Sequence, residues 1–96
     1  MARPRKTAFG HLVGNCFGEV LLKSRKAAKM SQETLANEAE VNLSYVQGLE
    51  KGTSTPSLEI FLRLTRALNL NSGEVMSRTE ALAIRRARRR GLQIGP

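Results

Sequence analysis

The chain has 96 residues and a mass of 10.6 kDa, enough for one small domain with short arms. Its 16 Lys and Arg outweigh 8 Asp and Glu, a net charge of +8 at pH 7 that favours polyanionic partners. One Cys (Cys16) excludes an intrachain disulfide, and one Cys with one His (His11) and no Asp cannot assemble a zinc site.

The elements follow in chain order. Phe9, Leu12, Val13, Cys16, Phe17, Val20 and Leu21 step by three and one, the stripe of an amphipathic helix running from near Thr7 to about Ala28. Gly10, Gly14 and Gly18 oppose that helix energetically, yet at i, i+4, i+8 they give it one smooth side on which another backbone can lie. An irregular lead-in before Asn15 is the alternative. Ser31 caps a second short helix with Leu35, Ala36 and Ala39 inward. Asn42 caps a third, with Tyr45 or Val46 and Leu49 inward, and Lys51-Gly52 ends it. Pro56 closes a loop, and Ser57 caps a fourth helix with Leu58, Phe61, Leu64 or Thr65, and Leu68 inward. Asn69 stands where a left-handed C-cap is expected, Ser72 caps a fifth helix packed by Val75-Met76, and Ser77-Arg78-Thr79-Glu80 reads as a capping box before Ala81 and the arginine run. No segment alternates as a strand does, so the expected fold is all-α, with five or six short helices.

The charge is unevenly placed. Residues 17–76 carry seven basic and seven acidic side chains, net zero, whereas residues 1–16 add +3 and residues 77–96 add +5. A neutral body with two cationic arms suits a protein that reads something specific and draws affinity from phosphates. The expected organisation is a basic N-terminal arm or helix extension (1–16), a central domain (17–76) and an arginine-rich C-terminal extension (77–96).

Function resides in the pair of short helices, 31–39 and 42–51. Their facing residues, Ala36 and Ala39 against Val41 and Val46, are small enough for a steep, close crossing, the geometry that lets a second helix enter a major groove. The segments Met30-Ser31-Gln32-Glu33-Thr34-Leu35-Ala36, Val41-Asn42-Leu43-Ser44-Tyr45-Val46-Gln47-Gly48-Leu49-Glu50-Lys51-Gly52 and Pro56-Ser57-Leu58, with Phe17–Arg25 ahead of them, resemble the Cro/phage-repressor (XRE-type) DNA-binding domain. The resemblance covers residues 17–76 and implies a lambda-repressor-like bundle of five short helices containing a helix-turn-helix, with the arms outside it.

That resemblance implies roles residue by residue. Gln32 anchors a phosphate at a helix N-terminus, where free N–H groups and the positive dipole end assist it. Asn42 caps the recognition helix and belongs with its DNA-binding residues. Leu43, Ser44 and Tyr45 face base edges, Ser as donor or acceptor and Leu against a thymine methyl. Tyr45 either stacks on sugar, donates to phosphate, or locks the helix from within. Gly48 is a further groove-facing position, and Lys51, Thr53 and Ser54 contact phosphates. Arg25 and Glu50 form a structural pair whose bidentate geometry fixes the first helix to the recognition helix. Two positions depart from the family pattern: Lys29 and Glu40 stand where relatives often carry glycine in a left-handed turn, at a cost of about 1 kcal/mol each. Outside the resemblance, Arg3, Arg5, Arg85, Arg86, Arg88, Arg89 and Arg90 are expected to engage phosphates beside the operator.

No nucleophile–base pair, phosphate-cradling loop or metal set stands out, so the sequence predicts no enzyme, no cofactor and no metal. It predicts a cytoplasmic regulator of transcription, a repressor acting on a palindromic operator in double-stranded DNA as a homodimer, with no membrane association. The longest uncharged stretch, Thr7–Gly18, is too short to cross a bilayer. The competing expectations are an antitoxin or adaptor whose helical domain and arginine tail bind a protein such as a toxin or polymerase, and a non-specific nucleic-acid binder.

Overall fold

Two adjacent apolar clusters, one on each side of the first helix's midpoint, organise the chain. A computed structural model describes Arg5 and residues 7–94, and among these the secondary structure is five helices with no strand. They are α1 (Ala8–Ala27), α2 (Gln32–Ala39), α3 (Leu43–Lys51), α4 (Leu58–Ala67) and α5 (Ser72–Arg89). The fold is a lambda-repressor-like all-α bundle.

α1 starts where the apolar stripe starts. The Thr7 hydroxyl accepts from the Gly10 N–H at 3.0 Å and caps it, so the segment before Asn15 is helical rather than an irregular lead-in. The glycines are tolerated because two of them are needed. A β-carbon on Gly18 would collide with the Leu49 carbonyl oxygen and lie 3.1 Å from that of Glu50. One on Gly14 would lie 3.2 Å from the Thr55 methyl. α1 therefore lies directly on the end of α3 and the loop beyond it. Gly10 meets only its own capping residue, Thr7.

The larger core joins Phe17, Val20 and Leu21 of α1 to Leu35, Ala36 and Ala39 of α2, Val46 and Leu49 of α3, Phe61 and Leu64 of α4, and Val75 of α5. Phe17 and Phe61 stack tilted, with ring centroids 5.6 Å apart. The smaller core, Leu12 and Cys16 against Ala83 and Ala87, is lined by Phe9, Val13, Leu82, Leu92 and Ile94. The apolar stripe at the start of α1 thus packs on the end of α5 within the same chain.

α5 departs from expectation in three ways. Its N-cap is Asn71, whose side chain accepts from the Glu74 N–H at 2.9 Å, one residue before Ser72. Ser77–Glu80 caps nothing, because the helix runs through it. Thr79 is buried and its hydroxyl donates to the Val75 carbonyl at 2.9 Å. The arginine run is therefore the last part of one 18-residue helix that packs along α1. In α4, Leu58 stands 77% exposed instead of inward, and Met76 of α5 is 45% exposed.

Candidate nucleic-acid interface

The α2–α3 hairpin is built from local signals and one long-range clamp. The Ser31 hydroxyl accepts from the Thr34 N–H at 3.0 Å and starts α2. Glu40 ends it in the left-handed region at φ 58°, and Lys29 does the same after α1 at φ 57°, so both turns keep the glycine-favouring conformation without glycine. The sharp turn into α3 is held from α4: Arg63 donates to the Ala39 carbonyl at 3.0 Å and to the Glu40 carbonyl at 2.8 Å. Those carbonyls end a helix and lack intrahelical partners, so the guanidinium satisfies them and fixes the angle between α2 and α3.

α3 is locked from its inner side. Val46 and Leu49 are fully buried. Glu50 receives Arg25 Nε at 2.6 Å and Nη2 at 3.0 Å, a bidentate pair between α1 and α3, while Arg25 Nη1 donates to the Met30 carbonyl at 2.9 Å. Neighbouring Glu50 holds the Arg25 guanidinium above its ordinary pKa, chiefly through that hydrogen bond. Gln32 Nε2 donates to Glu50 Oε1 at 2.8 Å. The glutamine at the start of α2 is therefore tied to α3 in the free protein, with one amide donor spent on Glu50.

The outer face of α3 is what remains. Leu43, Ser44, Gln47 and Lys51 are exposed, turned away from the helices beneath. Asn42 occupies the N-cap position with extended backbone, but its side chain makes no capping bond and is exposed. Tyr45 is half-buried against the larger core, which favours its role in locking the helix. Gly48 opens toward Thr53 and Ser54, and the Thr53 hydroxyl donates to the Gly48 carbonyl at 3.0 Å. Thr53 and Ser54 also line an open groove of about 430 Å³ with Arg5, Thr7 and His11 from the start of α1. That groove joins the N-terminal arm to the end of α3. Arg3 lies outside the described residues.

The arginine run does not act as one group. Arg86 turns back onto α1, its Nη2 2.8 Å from Glu19 Oε2, and its Nη1 donates weakly to the buried Cys16 sulfur at 3.8 Å. The Arg86 hydrogen bond, followed by that of Lys23, holds the Glu19 carboxyl below the usual carboxylate range. This pairing sets Arg86 apart from the other arginines of the run, which have no carboxylate partner among the described residues. Arg85, Arg88, Arg89 and Arg90 are exposed.

Two contributors escaped sequence reasoning. Gln47 sits three residues after Ser44 and four before Lys51, so helical spacing from either would have placed it on the same face. Arg63 acts across 24 positions, and no local pattern announces that.

These features define a helix-turn-helix DNA-binding protein, and sequence comparison gives the same class. The helix-turn-helix family profile matches residues 21–75, and the chain belongs to the XRE-type helix-turn-helix family of DNA-binding transcription regulators. Among its relatives is the transcriptional regulator ClgR of Mycobacterium tuberculosis, 32% identical over 79 residues, covering 75% of this chain and 70% of the relative. The restriction-modification controller protein C.AhdI of Aeromonas hydrophila superposes with a TM-score of 0.63 at 39% identity, over 65% of this chain and 94% of that one. A ClgR structure from Corynebacterium glutamicum superposes with a TM-score of 0.71 at 22% identity, over 80% and 83%, a likeness of fold. The family's members are regulators, not enzymes. No helix among the described residues is long and apolar enough to cross a membrane.

Proposed function

We propose that this protein is a sequence-specific repressor that binds a palindromic operator in double-stranded DNA as a homodimer, with α3 of each subunit in the major groove. The observation that carries the reading is the asymmetry of α3. Its inner face is pinned by Val46, Leu49 and the Arg25–Glu50 pair, while Leu43, Ser44 and Gln47 stand free on the outer face. A rigid helix with a small polar outer face suits base reading, since Ser and Gln each donate and accept and Leu packs on a thymine methyl. Asn42, Lys51, Thr53, Ser54 and Arg5 surround that face and serve as phosphate contacts. Gln32 joins them through its remaining amide atoms while bonded to Glu50.

The dimer reading rests on apolar surface around the loop before α4. Leu58 and Met76 are exposed at the rim of a groove formed with Val13, Pro56 and Phe61. Leu62, 47% exposed, lies one turn beyond Leu58. An isologous contact through this patch would bury it in both subunits and set two α3 helices about one helical turn of DNA apart. A dimer on a promoter excludes polymerase by occupancy, which is the sense of repression meant here. The likeness to a restriction-modification controller protein supports a regulator of this size and shape.

The test is selection from a pool of randomised duplexes, followed by transcription from a promoter carrying the enriched site. The reading expects a two-fold symmetric consensus and transcription that falls as protein is added. An enriched site without symmetry would remove the dimer, and no enrichment would remove sequence specificity.

A further inference from the structure

We propose that the outer face of α5 is a second DNA-binding surface. It grips the phosphate backbone of a duplex segment other than the one α3 reads, so that one protomer bridges two stretches of DNA. This rests on the reading of α3 given above and adds to it a contact indifferent to sequence.

The geometry comes from α1, which lies between the two helices. Gly14 and Gly18 face the end of α3 and its loop, whereas Leu12 and Cys16 face Ala83 and Ala87 of α5. Two residues along a helix turn its surface by about 200°, so α3 and α5 pack on opposed sides of α1. At about 8–10 Å for each packed pair, their axes stand roughly 16–20 Å apart. On α5 Ala81, Arg85 and Arg89 stand about 200° from Ala83 or Ala87, and Arg78 and Arg88 about 140° from Ala83, so these five lie away from the two alanines, and all five are exposed. Arg85, Arg88 and Arg89 therefore lie on the side of α5 away from α3, with Arg78 at its edge, where it borders a groove shared with Glu19 and Lys23 of α1. The phosphates flanking the site that α3 reads lie on the other side.

The charge pattern defines the partner. Among the described residues, none of these four arginines pairs with a carboxylate, in contrast to Arg86, which α1 neutralises with Glu19. The acids of α5 are Glu74 in its first turn and Glu80 on its flank, and the one acid of α1 that borders the groove beside Arg78 and Arg85, Glu19, is paired with Arg86 and Lys23, so the balance from Arg78 to Arg89 is positive. That face runs about 16 Å, the axial rise of roughly five phosphates on one strand. Guanidinium groups suit phosphate because their planar fork binds two oxygens at once. A protein partner would need an anchor, usually aromatic, to supply affinity. The apolar part of this face is only Ala81 and Ile84, at the floor of a shallow groove among Arg85, Arg88 and Arg89. A second copy of the chain is disfavoured too, since a two-fold contact would set these arginines against themselves.

The experiment uses the full chain bound to an immobilised duplex enriched from a randomised pool, with unbound protein washed away. A labelled duplex of unrelated sequence is then offered over a range of salt. The wild type should capture it, with a log–log salt slope of about 0.9 per phosphate engaged. The variant with Arg78, Arg85, Arg88 and Arg89 all changed to Gln should keep its helix content and lose capture by about tenfold or more, a much larger factor than its loss of affinity for the first duplex. Equal capture by the variant would assign the second duplex to another surface, such as α3 of a second subunit, and overturn the proposal. Absence of capture by the wild type would overturn it as well. So would a variant that loses affinity for the first duplex in the same proportion, or a face that prefers a glutamate-rich helical peptide to DNA. A pool that returns no preferred sequence counts against α3 as the reader. The capture arm, run with an arbitrary first duplex, then still decides the arginine face.

Discussion

Gly18 of α1 and Leu49 of α3 meet backbone to backbone, so closely that the Leu49 carbonyl oxygen occupies the space a β-carbon on Gly18 would need. Carbonyl oxygens of a helix end cannot swing aside as a side chain can. Gly18→Ala should push α3 away from α1 and cost about 1–3 kcal/mol of stability, although alanine is the better helix former. Gly48→Ala is the opposite case, because its β-carbon would meet Thr53 and Ser54 side-chain oxygens at 3.5 and 3.7 Å, ordinary contact distances. That variant should be stabilised by up to about 1 kcal/mol. Thermal melts of the two proteins should move in opposite directions; movement in the same direction would contradict the packing described for α1.

The Arg25–Glu50 pair should dominate the electrostatic part of stability. Its side chains are 10% and 4% exposed, so removing the guanidinium strands a buried carboxylate with Gln32 as its one remaining side-chain donor. Arg25→Ala is expected to lose roughly 3–5 kcal/mol. Glu59→Ala, which breaks an exposed pair with Arg63, should lose less than about 0.5 kcal/mol. Urea titration of both variants measures the contrast, and comparable losses would mean that Arg25 is not buried as the structure has it.

Glu40 holds a left-handed conformation that a β-carbon makes costly. Glu40→Gly relieves it while leaving in place the carbonyl that accepts from Arg63. Stability should rise by about 1 kcal/mol. A fall would show that the α2–α3 turn needs the side chain.

Cys16 reports on the contact between α1 and α5. It is fully buried, and burial pushes its thiol pKa up more than neighbouring Arg86 brings it down. Alkylation at neutral pH should therefore be far slower in the native protein than in urea. Glu19→Gln, which releases Arg86 from α1, should speed it. Labelling of the native protein at the unfolded rate would show that α5 does not stay docked.

Much of this architecture can be read from the chain. Ser31 and Ser57 cap helices as their type and position suggest, and Ala36, Ala39, Val46 and Leu49 are buried as their spacing requires. The Arg25–Glu50 pair followed from the resemblance. The failures are failures of local reasoning about non-local forces. Ser77–Glu80 has the pattern of a cap, yet packing of Val75, Thr79, Ala83 and Ala87 carries the helix through it. Leu58 fits the apolar spacing of α4 but lies in its first turn, beyond the reach of the core. The Arg63 clamp joins residues 24 positions apart. The arginine run looked uniform in sequence, and only the docking of α5 separates Arg86, turned onto Glu19, from Arg85, Arg88 and Arg89 on the far side.

The central claim is that the exposed face of α3 reads DNA sequence. It is tested most directly by the ratio of affinities for the enriched duplex and for random duplex, measured at one salt concentration in wild type, Ser44→Ala and Gln47→Ala. Both residues are exposed and neither belongs to the buried core, so the variants should fold normally. Each should lower the ratio, by about 1–3 kcal/mol where a bidentate base contact is lost, while binding to random duplex stays nearly constant. An unchanged ratio in both variants would contradict the account, because the groove would then be read by something other than α3.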